Sequence, residues 1–246
     1  TIPTQNSAEV VNKGFELTLN WADHINDFHY NIGANITFVD NKVTKYKGNE
    51  MTIPETGHPN KDVMIKEGYA INTQYVLVAD RIIQTQADLD YVQSLIDNAP
   101  VKDGVKVDPF KTYKRPELGD ILYKDTNHDG IFNDDDRIPM GHGDTPRFLY
   151  NLTLGFDYKG FDFSAFFQGV AGVDRIVMDY PTVSGNVTTA FLDRYSESAN
   201  PNGNFPRLGN GDYNSQPSSF WLKDASYLRL KNIELGYSFK QEWIRK

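Results

Sequence analysis

The stretch that decides the fold is Phe148-Leu149-Tyr150-Asn151-Leu152-Thr153-Leu154-Gly155-Phe156-Asp157-Tyr158. Phe148, Tyr150, Leu152, Leu154, Phe156 and Tyr158 fall on one side of a period of two. Asn151, Thr153, Gly155 and Asp157 fall on the other, with Leu149 the single exception. A period of two over this length specifies a strand with one apolar and one polar face. Lys159-Gly160 follows as a tight connection. Phe161, Phe163, Ala165 and Phe167 then alternate with Asp162, Ser164 and Gln168, which completes a β-hairpin.

Outward from this hairpin the design repeats. Phe15, Leu17, Leu19 and Trp21 alternate with Glu16, Thr18 and Asn20. After a turn placed at His24–Asp27, Phe28, Tyr30, Ile32, Ala34, Ile36 and Phe38 share a face. Near the C-terminal end Ile233, Leu235, Tyr237 and Phe239 are in phase. Leu228 and Leu230 are out of phase with them, which calls for a bulge near Asn232 or a stretch facing the other way. Another strand is expected within Tyr69–Ile83. One short helix is expected from Gln86 to Asn98, with Thr85 and Asp88 as a capping box, an apolar stripe of Leu89, Val92, Leu95 and Ile96, and Pro100 beyond its end. Residues 40–67 and 172–224, rich in Gly, Pro, Asn and Ser, read as long loops.

Composition excludes several classes. A formal charge of −8 over 246 residues is unsuited to nucleic acid. The absence of cysteine removes disulfides and thiolate chemistry. No apolar run approaches the roughly 20 residues of a membrane helix, but a transmembrane strand needs only about 9–11, alternately apolar. The alternating runs here exceed the usual five or six residues of a globular strand. Their aromatics (Trp21, Phe28, Tyr30, Tyr150, Tyr158, Phe161) lie near strand ends, and their polar faces carry Asn, Thr, Ser, Gly and Gln. These features favour an all-β fold, part of a large antiparallel transmembrane β-barrel with long extracellular loops. The competing architecture is a soluble β-sandwich, whose strands also alternate, acting as a carbohydrate-binding module with a calcium-stabilised loop, or as a glycosidase on that scaffold.

No catalytic constellation stands out. The five histidines (His24, His29, His58, His128, His142) lack a paired-ligand spacing, and neither a nucleophile elbow nor a phosphate-cradling loop is present. The chain is therefore expected not to be an enzyme. Asp125-x-Asn127-x-Asp129-Gly130, with the Ile131 carbonyl at the seventh position, Asn133 at the ninth and Asp136 at the twelfth, has the spacing of a calcium loop. Asp136 stands where Glu is usual, and its shorter arm binds less readily through both oxygens. The same residues also suit a turn-rich loop whose Asx side chains bond their own backbone. Both readings stay open, with Ca2+ the one candidate cofactor. Tyr180, Phe191, Tyr195, Phe205, Tyr213, Phe220 and Trp221 could stack on sugars, touch a partner, or pack a long loop.

Three stretches resemble the C-terminal barrel portion of the SusC/RagA family of TonB-dependent outer-membrane transporters. They are Gly119-Asp120-Ile121-Leu122-Tyr123-Lys124-Asp125-Thr126-Asn127-His128-Asp129-Gly130 with Asp136-Arg137, Tyr158 to Gly169, and Phe220 to Asn232. The resemblance implies a barrel of about twenty-two strands around a plug, import of glycans or peptides across the outer membrane of a Gram-negative, Bacteroidota-type cell, TonB as energy source, and a SusD-like surface lipoprotein partner. Residues 1–246 are then expected to be a fragment of the receptor's barrel domain, with plug, TonB box and closing strands absent. In such a barrel Lys159-Gly160 belongs on the periplasmic side, with Asp125–Arg137 and 172–224 outside.

Overall fold

The computed structural model describes residues 8–47, 51–52, 63–143, 145–178 and 187–239. Five long strands form one antiparallel sheet: β1 (Ala8–Ile25), β2 (Phe28–Tyr46), β3 (Phe148–Tyr158), β4 (Phe161–Ala171) and β5 (Tyr227–Tyr237). Their order in the sheet is their order in the chain, so each strand pairs with its predecessor as an up-and-down meander. Two large insertions interrupt it, one between β2 and β3 and one between β4 and β5.

The register aligns the apolar positions of all five strands into continuous rows. Leu19, Ala34, Leu152, Phe167 and Leu230 form one row, and Trp21, Ile32, Leu154, Ala165 and Ile233 the next. A one-residue slip in any strand would reverse its faces. At β5 the chain uses that fact. Asn232 pairs with Phe166 and Leu230 with Phe167, so Lys231 is extra, and this bulge brings Leu228 and Leu230 onto the face of Ile233. The phase conflict in the sequence is thus resolved by a bulge, not by a lumen-facing stretch.

Both hairpin turns sit at one end of the sheet. The first is tighter than the sequence suggested. His24 pairs with His29 and Ile25 with Phe28, leaving only Asn26-Asp27 as the turn, with Asn26 at φ 53°. Lys159 and Gly160, at φ 48° and 94°, turn the second, as a two-residue connection with the strands' own twist requires.

The described parts of the two insertions pack together at the other end as a folded body. Helix α1 (Gln86–Asp97) starts at Thr85 with the expected capping box: Asp88 N–H donates to Thr85 Oγ1 (3.2 Å) and Thr85 N–H to Asp88 Oδ2 (3.0 Å). Its stripe of Leu89, Val92, Leu95 and Ile96 closes a core of Ile83, Phe110, Leu122 and Phe132. The strand anticipated within 69–83 is two short pieces, Thr73–Val76 and Ala79–Ile82. Residues 40–46, read as loop, continue β2; much of 48–62 and 179–186 lies outside the described residues. A four-residue helix α2 (Gly211–Asn214) and two 3-10 turns add to the one helix expected.

A second core joins the insertions: Leu77, Tyr113, Ile121 and Tyr123 from the first, Phe191, Tyr213 and Trp221 from the second. Beside it Asp120, wholly buried, accepts from Arg207 Nε (2.8 Å), Asn214 Nδ2 (2.9 Å), Asn210 Nδ2 (2.9 Å) and Glu117 N–H (3.0 Å). A buried carboxylate demands such partners. The chain's main core therefore lies in this body and not against the sheet.

Candidate functional site

Among the described residues the apolar face of the sheet carries no second layer. Phe15, Leu17, Leu19, Trp21, Ile233, Leu235 and Tyr237 are exposed, and no described element covers them. A β-sandwich would bury this face against a second sheet about 10 Å away, so that architecture does not describe this molecule. From the row of Phe15 to the row of Ile25 is ten steps along β1. At about 3.4 Å per step and a tilt of 35–45°, the band stands roughly 24–28 Å tall.

Aromatics bound the band. Phe28, Tyr158, Phe161 and Tyr237 line the turn end; Phe15, Phe38 and Phe148 line the other. Trp21 and Tyr150, expected near the edges, sit inside it, and the Tyr150 hydroxyl donates to the Tyr227 carbonyl (3.0 Å). Above the upper row the charge pattern changes at once. Arg147 pairs with Asp40 (2.7 Å) and lies over the Phe38 ring at 5.5 Å.

The opposite face is polar through its middle except at Phe166, which shares a row with Asn20, Gly33, Thr153 and Asn232. Thr18, Asn35, Asn151, Gln168 and Arg229 share one row; Ala22, Asn31, Gly155, Ser164 and Glu234 share another. Asn35 Nδ2 donates to Glu16 Oε1 (3.1 Å) and Thr18 Oγ1 (3.0 Å), and the Asn31 carboxamide lies across Gly155, where a Cβ would collide with it. Toward the folded body Leu149, Val170 and Tyr227 follow Glu16 and Thr37 in one row, so this face turns apolar only on its β3–β5 side. A cleft of about 330 Å³ opens between sheet and body, lined by Asn41, Tyr69, His142 and Arg147 among others.

The acidic loop follows the short strand Ile121–Tyr123. Its side chains turn inward onto the backbone. Asp125 Oδ2 accepts from Gly130 N–H (2.8 Å), Asn127 Oδ1 from Asp129 N–H (2.9 Å), Asp129 Oδ1 from Ile131 N–H (2.8 Å) and Asn133 Oδ1 from Asp135 N–H (2.6 Å). Asp136, 1% exposed, accepts from Thr126 N–H (2.8 Å) and Asn133 N–H (3.0 Å). Burial holds its carboxyl above the ordinary value against these hydrogen bonds, and the charge of Asp125 adds to the effect. Asp125 Oδ1 is sealed from solvent without a hydrogen-bond partner. Among the described residues no three His, Asp or Glu side chains converge as a metal-holding group. Any cation here would therefore also depend on the Asn and carbonyl oxygens.

The aromatics of the second insertion pack. Phe191, Tyr195, Tyr213 and Trp221 are buried, and Phe205 and Phe220 meet Trp221 edge-on at 5.7 and 4.8 Å; Tyr180 lies outside the described residues. Two clusters escaped the sequence reading: the Asp120–Arg207–Asn210–Asn214 knot, and Tyr113, whose hydroxyl donates to Asp134 Oδ1 (2.6 Å) while Arg137 Nε holds the same oxygen (2.6 Å). Their partners are up to 94 residues apart, a separation across which no local spacing signals a contact.

Comparison with known proteins places this two-faced sheet. The TonB-dependent receptor SusC of Bacteroides thetaiotaomicron is 27% identical over 98% of this chain, matching 22% of its own length. A TonB-dependent receptor of Formosa agariphila is 25% identical over 95% of the chain.

The chain resembles SusC-type TonB-dependent receptors.

No protein-family model matches it. The solved RagAB peptide transporter superposes with a TM-score of 0.66 over 95% of the chain at 23% identity, and the RagAB peptide importer in its open-open state with 0.64 over 98% at 21%. These likenesses establish the fold. The SusC-like chain spans about a quarter or less of the relatives it matches. Its named relatives are receptors and a transporter rather than enzymes.

Proposed function

We propose that this chain forms part of the wall of an outer-membrane importer of SusC type, a barrel-domain segment that works with TonB and a SusD-like surface lipoprotein to bring in glycans or peptides. The observation that carries the reading is the continuous apolar band. It has five strands in register, about the roughly 25 Å height of a barrel's lipid-facing belt, and an opposite face of amide, hydroxyl and glycine that suits a wet lumen or a plug. The two tight turns at 26–27 and 159–160 then face the periplasm, where barrel turns are short, and the folded body stands outside. Similarity to TonB-dependent receptors and to RagAB supports transport as the activity. The strand edges of β1 and β5 bear no described partner, which in this reading is where neighbouring barrel strands pair.

The test uses the protein that carries this chain, reconstituted in liposomes with a fluorophore at position 152 or at 153. The label at 152 should respond to lipid-borne quenchers and the label at 153 to aqueous ones. Shielding of position 152 from both would place it in a protein core and end the barrel reading.

A further inference from the structure

The two rims of the apolar band differ in charge. At the turn end the residues beyond the aromatic row are Asn26-Asp27 and Lys159-Gly160, one carboxylate against one ammonium, and Lys159 Nζ lies over the Tyr158 ring at 5.2 Å. At the folded-body end, alternation beyond Phe15 and Phe38 puts Lys13 and Asp40 on the outward face, then Val11 and Lys42, then Glu9 and Lys45. With Arg147 this rim holds four cations against two carboxylates, in a chain whose formal charge is −8. Both carboxylates are already engaged. Glu9 pairs with Lys45 (3.0 Å), and Asp40, which faces Lys13 across the strands, is taken by Arg147 (2.7 Å). Lys13 and Lys42 are exposed and have no ion pair among the described residues. They stand on a diagonal of the β1–β2 pair, a spacing of about 7–8 Å across which long side chains meet.

We propose that Lys13 and Lys42 form a headgroup site for a phosphate-bearing lipid of the leaflet at the folded-body end. The site rests on the barrel reading, which sets lipid against this face. Depth and charge then fix the occupant. The two lysines lie two and four residues beyond the rim row of Phe15 and Phe38. At about 3.4 Å per residue and a barrel's tilt, that is roughly 5–10 Å above the apolar band, the level of the headgroups. Lysine suits this level, because its apolar stem stays against hydrocarbon while its ammonium reaches water. Two unpaired ammonium groups at this spacing repel each other until an anion lies between them. A phosphate supplies acceptor oxygens to both. The opposite rim has no such pair among the described residues, so the site also distinguishes one leaflet from the other.

The test uses the protein that carries this chain, delipidated in non-ionic detergent and titrated with phosphatidic acid. Diacylglycerol serves as the same lipid without its phosphate, and native mass spectrometry counts the lipid bound. The wild type should retain phosphatidic acid in preference to diacylglycerol. Lys13→Gln with Lys42→Gln should lower its affinity for phosphatidic acid several-fold, and Lys13→Arg with Lys42→Arg should restore it. Lys159→Gln, at the opposite rim, should bind as the wild type does. Added salt should weaken the wild type more than the double Gln variant. Equal affinity in the wild type and the double Gln variant would overturn the proposal. An equal loss in Lys159→Gln would do the same, as would displacement by equimolar inorganic phosphate, which would mark a site for a free anion. The label at position 152 separates this failure from that of the barrel. Lipid-borne quenching at 152 with unchanged affinity removes the headgroup site alone, whereas shielding at 152 removes the barrel reading beneath it.

Discussion

The sheet and the folded body contain the same kinds of residue and use them in opposite ways. In the body, Trp221 is 1% exposed and its indole N–H donates to the Asn214 carbonyl (2.8 Å), while Leu77, Ile121 and Phe191 share its core. In the sheet, Leu235 is 75% exposed and Trp21 61%. The body organises its apolar side chains around a centre and so excludes water by itself. The sheet arranges them in rows on one face that no described element covers, and in the proposed barrel lipid would complete that face. Hydrophobicity thus acts through geometry. A leucine contributes to a core where long-range contacts converge and to an exposed apolar band where strands lie in register.

That contrast can be broken at its strongest point first. Trp221→Ala should destabilise the body by about 3–5 kcal/mol, as large-to-small changes in a filled core do. Leu235→Ala should leave the thermal unfolding of the body unchanged in detergent. Equal losses from the two would show that the sheet face is itself a protein core. Next comes the division between the sheet's faces. Leu152→Arg should cost roughly 2–4 kcal/mol of membrane stability near the bilayer midplane, while its neighbour Thr153→Arg should still insert; folding yields into lipid vesicles measure both. A comparable penalty at 153 would mean that the polar face is not solvated.

The smallest effect sharpens the picture of the body alone. Thr85→Ala removes the N-cap of α1 and should cost about 0.5–2 kcal/mol, read as faster amide exchange over residues 86–92. The cap also sets a pH dependence. Burial raises the Asp88 carboxyl, but hydrogen bonds from the Thr85 hydroxyl and the Gln84 and Thr85 N–H groups outweigh it, leaving the group below its ordinary value. This stabilisation is present above the usual carboxylate range and fades as the pH falls through it. An α1 whose protection did not decline at low pH would show that the cap carries no free energy.

What the sequence determined by itself is the local order. A period of two over 148–158 and 161–167 dictates a two-faced hairpin, because side chains alternate along any extended strand. The cap of α1 is legible at Thr85 and Asp88, because its hydrogen bonds span three residues. The spacing of Asp125, Asn127, Asp129 and Asp136 is legible for the same reason. The tertiary structure alone decided what no short window encodes. Lys231 is the bulged residue because β4 offers Phe166 and Phe167 as successive partners to Asn232 and Leu230. Residues 187–224, which read as open loop, fold because Asp120 gathers Arg207, Asn210 and Asn214 across about ninety positions. The aromatics there became core instead of a binding platform because Leu77 and Ile121 from the other insertion arrive to bury them. Such contacts depend on loop closure over long separations, and their free energy is gained only once both insertions are in place.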